Sequence, residues 1–361
     1  MTDDRQKNII NQLHPRKIIL PVVIGLIVVL WLLVKDVNIN VLKEIVFSWK
    51  SVFWLFVALL LIIIRTFGYM ARLRVLTGND LSWIQSFRII MLWEFTSAIT
   101  PSTVGGTGFA IIFLHKEGIN VGRSTAVVLA TSFLDELYFV IMLPLLLLLV
   151  GGRSLFITSL HGTGIALLNN LVLVAIIGYT IIFLWVVLVG YGLFINPAGI
   201  KNLIITIFRL PFLKRWKDSA IKAGNDLIDS SNELRHESFS FWFKATVSTF
   251  LTWTSRYWVV NAILLAFFTI KDHLLIFARQ LVLWIMMIIS PTPGGSGFAE
   301  IILGRYISDL IPADPVHVGG VALAMALIWR MISYYPFLIA GAIIVPGWID
   351  RKFVEPFTKK Q

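Results

Sequence analysis

Six long apolar stretches alternate with shorter polar ones along the chain, at residues 18–34, 52–69, 124–150, 165–194, 242–270 and 318–345. Each has the roughly 17 or more residues that a helix needs to cross the hydrocarbon core, so the pattern predicts an all-α polytopic membrane protein. Two further apolar stretches, 84–115 and 274–305, are broken in the middle by nearly the same words. Residues 101–110 read Pro-Ser-Thr-Val-Gly-Gly-Thr-Gly-Phe-Ala, and residues 291–299 read Pro-Thr-Pro-Gly-Gly-Ser-Gly-Phe-Ala. Inside a helix glycine costs about 1 kcal/mol and proline about 3 kcal/mol, so each helix stops there and leaves arms too short to cross alone.

An unwound backbone survives in hydrocarbon only where protein or a water-filled cavity satisfies its polar groups. The expected form is therefore a pair of re-entrant broken-helix hairpins, each entering and leaving on one side; two short tilted crossings would give the same parity. A duplicated helix break at membrane depth points to a transport site built on internal repeats.

Composition agrees with the pattern. The 361 residues are 57% hydrophobic and 14% charged, with no long soluble segment, so a single membrane domain over 1–361 is expected and an appended catalytic domain is not. The net charge of +11 reads as basic loops beside anionic lipid, with no nucleic-acid partner. The absence of cysteine excludes disulfide and thiol chemistry. Residues 18–34 follow Arg16 and Lys17 but lack a small-residue cleavage site, and read as a retained span.

Charge also sets the topology. With the N-terminus inside, 21 lysines and arginines fall in inside segments and 7 in outside ones, which predicts cytoplasmic termini. Repeat one, 51–150, then begins outside and repeat two, 244–346, begins inside, so the repeats are inverted. Gly105 and Gly294 are separated by the same interval as Lys116 and Arg305, and Arg65 and Arg256 by two residues more. The linker 196–243 mixes apolar and basic residues around Pro211 and predicts an amphipathic helix on the anionic cytoplasmic leaflet, with a plain solvated linker the other reading of its second half.

Charged groups at membrane depth are rare and costly. The candidates are Arg65, Glu94, Asp135, Glu136, Arg256, Glu300 and Arg330. They could form a polar cavity in which the arginines meet a lipid phosphate while the carboxylates balance charge or meet a cationic head group; or they could pair internally, an arginine with Asp135 for example, and fix helix packing. Gly105, Gly106 and Gly108, with Gly294, Gly295 and Gly297, would free backbone amides at half-helix N-termini, which favour anions. Close packing alone would use glycine but has no use for Pro101 and Pro291 beside it. These residues form the expected substrate-binding set. The six histidines show no metal-ligand spacing, the glycine motifs lack the lysine of a nucleotide-binding loop, and no catalytic constellation, cofactor or metal is expected.

With Phe-Leu-Asp-Glu-Leu at 133–137, the two glycine motifs make the chain resemble the lysylphosphatidylglycerol synthase transmembrane region, which includes the membrane half of the multiple peptide resistance factors. The resemblance covers nearly the whole chain. It implies a flippase-like fold with re-entrant helices and, in the bifunctional members, translocation of aminoacylated phosphatidylglycerol. It does not extend to an aminoacyl-transferase domain. The expected function is translocation of a polar lipid, anionic or aminoacylated, with a membrane phospholipid or lipid-linked substrate as partner. An intramembrane transferase acting on a lipid-linked substrate, or an accessory scaffold for a separate transferase, are the other readings.

Overall fold

The computed structural model describes residues 47–100, 105–156, 171–207, 217–287, 295, 297–312, 318–349 and 351–352. The predicted first span at 18–34 lies outside them, as do Pro101, Pro291 and Gly294. In chain order the helices are α1 (Trp49–Leu76), α2 (Trp83–Ile99), α3 (Gly105–Lys116), α4 (Val121–Val150), α5 (Gly152–Phe156), α6 (Leu171–Phe194) and α7 (Pro197–Ile207). There follow α8 (Lys217–Arg235), α9 (Phe239–Phe267), α10 (His273–Met287), α11 (Phe298–Ile307), a 3-10 turn at Ser308–Leu310, α12 (Val318–Ser333) and α13 (Tyr335–Ile349).

The chain is an all-α polytopic membrane protein. Among the described residues four segments are long and apolar enough to cross a bilayer: Trp49–Leu76, Val121–Val150, Val172–Phe194 and Val318–Ile349. α6 exposes Val172, Leu173, Ile177 and Leu184, surface that water would penalise and lipid tails cover at no cost. α9 is as long as α1 but is less apolar, because it buries Thr249, Thr252, Ser255 and Asn261 against its neighbours.

α1 and α9 form the central pair and run antiparallel. The Ser51 hydroxyl near the start of α1 donates to the Ala266 carbonyl near the end of α9 at 2.8 Å, while Arg72 near the end of α1 donates to Thr249 at 3.1 Å. They approach closely at Gly68, where a Cβ would sit 2.3 Å from the Thr252 hydroxyl. Only a residue without a side chain permits that approach.

Each glycine motif separates two helices that fold back on each other. Ser82 caps α2, accepting from the Gln85 amide at 3.2 Å. Gln85 in turn donates to Glu117, just beyond the end of α3, at 3.2 Å, so the start of α2 lies beside the end of α3. In the second pair Arg279 of α10 donates to the Tyr306 carbonyl at 2.8 Å and to Asp309 at 2.6 Å, both at the end of α11. With 12 and 10 residues, α3 and α11 reach about 18 and 15 Å, short of a roughly 30 Å core.

The stretch 318–345 lies within one membrane span, Val318–Ile349, whose helix breaks at Tyr334, because Pro336 has no N–H for the Ile332 carbonyl and its ring crowds the preceding turn. Arg72, one of the 21 basic residues counted as inside, lies within α1 and is buried. Arg279, one of the 7 counted as outside, is buried in α10. Charge counting treats both as loop residues because it ignores the carboxylates that neutralise them in the fold.

Glu117 ties the first hairpin to the end of the chain. Besides Gln85 it accepts from the Trp348 indole at 2.9 Å and from Lys352 at 3.0 Å. Burial works against its charge, but the hydrogen bonds from Trp348, Lys352 and Gln85 outweigh it and hold the carboxyl below the usual carboxylate range. A depressed folded-state pKa gives stability that is present above the unfolded value and is lost as pH falls through the folded one. Glu117→Ala should therefore lower stability by about 2 kcal/mol near neutral pH, the scale of a hydrogen bond to a charged group. The gap should close on acidification below the normal carboxylate pKa. Thermal unfolding of both proteins across pH 3–7 checks it; a gap constant over that range would contradict the assignment.

Candidate functional site

α1, α2, α3, α4, α6, α9, α10 and α12 all contribute to a cavity of about 520 Å3, within the roughly 300–1,000 Å3 of small-molecule sites. It brings together Glu94, Asp135, Glu136, Arg256, Gly295 and Arg330 of the sequence-predicted residues. Arg65 and Glu300 sit one layer behind, each holding a wall residue: Arg65 pairs with Glu94, and Glu300 lies 2.9 Å from Arg330. The remaining Arg65 nitrogens meet aromatic faces instead of acceptors, with Tyr69 and Phe337 ring centres at 5.0 and 4.6 Å.

The expected pairing of an arginine with Asp135 exists, but the partner is Arg72, which the reading of the sequence had not included. Its guanidinium makes a two-pronged bond to Asp135 at 2.5 and 3.1 Å, and the Trp253 indole donates to the same carboxylate at 2.5 Å. The signal was available: Arg72 lies seven residues after Arg65, two turns along the same helix face. Also unanticipated are Tyr257, Gln280, Trp284 and Tyr334, which line the cavity and carry no charge to draw attention.

Arg256 stands apart. Among the described residues it forms no ion pair, and its guanidinium lies 5.2 and 5.0 Å from the rings of Trp253 and Trp284, with the Tyr69 hydroxyl as a hydrogen-bonding neighbour. The two indole rings stabilise its charge by about 0.5–2 kcal/mol each. Trp253, Arg256 and Tyr257 recur at helical spacing and so share one face of α9.

The glycines divide by role. A Cβ on Gly106 would lie 1.9 Å from the Ser97 hydroxyl and 2.9 Å from the Ser97 backbone nitrogen, so this residue sets how closely α3 crosses α2. Gly295 has φ +67° and a Cβ there would meet Met287 at 1.8 Å; Gly297, with φ +79°, caps α11. Gly108 has nothing within 4 Å of an added Cβ, so no packing reason fixes it. Gly105 opens α3. The two half-helix N-termini also differ. α11 has Glu300 in its first turn, so its positive end already faces a carboxylate. α3 has no acidic residue in its first turn and brings Thr107 to the cavity.

Broken helices around a cavity lined by charged and aromatic side chains define a polytopic helical membrane protein with charged groups between its helices. The family model for the lysylphosphatidylglycerol synthase TM region matches residues 18–341, and the chain belongs to that family. It is 28% identical over 336 residues to a protein of Archaeoglobus fulgidus (strain ATCC 49558 / DSM 4304 / JCM 9628 / NBRC 100126 / VC-16) described as a UPF0104 membrane protein. That alignment covers 90% of this chain and 92% of the relative. No solved structure matches the chain.

Proposed function

We propose that the protein translocates a polar lipid, anionic or aminoacylated, whose head group passes through the central cavity while its tails stay in the bilayer. The observation that carries this reading is Arg256: three cavity arginines or their supports are neutralised by Glu94, Asp135 and Glu300, whereas Arg256 lines the cavity without an ion pair among the described residues. A guanidinium in the cavity wall without a carboxylate partner favours a phosphate diester, which it can grip with two parallel hydrogen bonds. The α3 N-terminus, with no carboxylate of its own, adds to the same preference. The family, a synthase membrane region, agrees with a lipid as partner. Exposure of labelled phospholipid head groups in vesicles containing the purified protein tests the reading.

Alternating access follows from two repeats, 51–150 and 244–346, related by inversion. The antiparallel α1 and α9 support this, since equivalent helices of inverted repeats must point in opposite directions. With the termini in the cytoplasm of the cell's inner membrane, the α2–α3 pair opens on the cytoplasmic side and the α10–α11 pair on the outer side. Single cysteines read this directly in a chain that has none. His115→Cys should label with an impermeant thiol reagent from inside only, and Lys271→Cys from outside only; both labelling from one side would overturn the inversion.

A further inference from the structure

Four carboxylates stand in or directly behind the cavity wall, and three have committed partners. Glu94 is held by Arg65, Asp135 by Arg72 and Trp253, and Glu300 by Arg330. Glu136, next to Asp135 on α4, also lines the cavity, yet among the described residues it forms no ion pair and its Oε2 is buried without a hydrogen-bond partner. Across the cavity on α9, the buried Tyr257 hydroxyl likewise lacks a partner. The other titratable and charged groups that line the cavity with Glu136 are Asp135 on its own helix, Tyr69 and Arg72 on α1, Arg256 and Tyr257 on α9, Glu94 on α2, Arg330 on α12 and Tyr334 just after it. The cavity residues of α3, α6 and α10 are uncharged, among them Thr107, Trp185 and Gln280, and α8 contributes none.

Among the described residues the wall thus holds one cation and one carboxylate without ion-pair partners, Arg256 and Glu136. Charge is expensive at this depth, and a net charge in the cavity opposes its passage between the two leaflet-facing states. With Glu136 ionised, it and Arg256 sum to zero before a lipid enters. A phosphate diester bound at Arg256 leaves one negative charge in excess, and a single proton on Glu136 removes it.

We propose that the protein is a proton–lipid symporter in which Glu136 carries one proton for each anionic head group. On the side where lipid is taken up, hydronium in the cavity water gives its proton to a Glu136 carboxylate oxygen and leaves water. On the other side water takes the proton back as the lipid departs, and the charge-balanced cavity returns. Each cycle moves one phosphate charge and one proton together, so it is electrically neutral. This rests on the translocation reading above and adds its energy source.

Purified protein in vesicles of phosphatidylglycerol and phosphatidylcholine, with potassium and valinomycin clamping the potential, provides the test. One pH unit across the membrane should shift the steady-state distribution of labelled phosphatidylglycerol about tenfold, the equivalent of 1.4 kcal/mol for one proton per lipid. An imposed potential of either sign at equal pH should shift it little. A trapped pH dye in the wild-type vesicles should report proton movement when a phosphatidylglycerol asymmetry is imposed. Glu136→Gln, which imitates the protonated carboxyl, should reduce the accumulation ratio to about one. Head-group movement by the wild type that ignores the pH difference, as expected if Glu136 instead pairs with a lipid amine, overturns the symport while leaving translocation intact. The same holds if Glu136→Gln keeps the response. No protein-dependent head-group movement at all defeats the translocation reading, and the symport with it.

Discussion

Gly295→Leu should abolish lipid movement while part of the protein remains folded in the membrane. At φ +67° any L side chain is strained by about 1–2 kcal/mol, and the new Cβ would collide with Met287 at 1.8 Å and crowd Arg330 at 3.5 Å. Met287 can give way, so folding survives at a cost of about 1–3 kcal/mol; Arg330, moved from Glu300, can no longer shape the cavity wall. Gly106→Leu should act more severely on the first hairpin, because its collision is with the Ser97 backbone, 2.9 Å from the new Cβ, and backbone cannot rotate aside. Gly108→Ala is the steric control and should leave thermal stability within about 0.5 kcal/mol of wild type. Monodisperse yield and melting temperature, measured beside transport, check all three. Full transport by both leucine variants would remove the case for a functional helix break.

Arg256→Gln should lower transport and anionic head-group binding roughly ten- to a hundredfold, the effect of losing about 1.5–3 kcal/mol from hydrogen bonds to a charged group, with little loss of stability. Lysine should restore part of the activity, since a point charge cannot use two indole faces and two parallel donors as a guanidinium does. Arg72 predicts the opposite separation. Arg72→Gln leaves Asp135 without its counter-charge, and breaking a buried pair costs about 3–5 kcal/mol, so yield and melting temperature should fall first. Arg65, paired with Glu94 and packed on Phe337, belongs with Arg72. A matched exchange of phosphate between Arg65 and Arg256, attractive from their corresponding positions in the chain, is therefore not the favoured mechanism. Transport per folded molecule, measured for all three glutamine variants, separates the two kinds of arginine.

The fold was legible where the sequence departs from uniform apolarity. The two Pro/Gly words locate the boundary between α2 and α3 and that between α10 and α11, because nothing but an interruption accommodates them in an apolar stretch. Long spans such as α4 and α6 follow from length and composition. The kink at Tyr334 was missed because one proline in a long apolar run looks tolerable until its unpaired carbonyl is counted. In the site, charge at membrane depth identified five residues that line the cavity and two that support it. Which arginine remains without a carboxylate depends on contacts between helices far apart in the chain, such as Arg72 with Asp135, and apolar periodicity carries no such information. The uncharged walls at Trp253, Trp284 and Tyr257 were hidden for a related reason: in a chain rich in aromatics a cavity-facing ring reads like any packed one. Likewise the glycines look equivalent in sequence, and only the closeness of Ser97 and Met287 distinguishes Gly106 and Gly295 from Gly108.

The most direct measurement of the central claim uses wild-type protein in vesicles carrying a trace of phosphatidylglycerol with a reducible fluorescent head group, quenched from outside by an impermeant reductant. Protein-free vesicles should lose about half of the signal, the outer-leaflet share. If the cavity passes head groups, vesicles with the protein should lose nearly all of it, and vesicles with an equal amount of folded Arg256→Gln should lose the protected half roughly ten- to a hundredfold more slowly, in line with the loss of a charge-assisted contact. Quenching that stops at the protein-free level, or that proceeds at the same rate in wild type and Arg256→Gln, would contradict it.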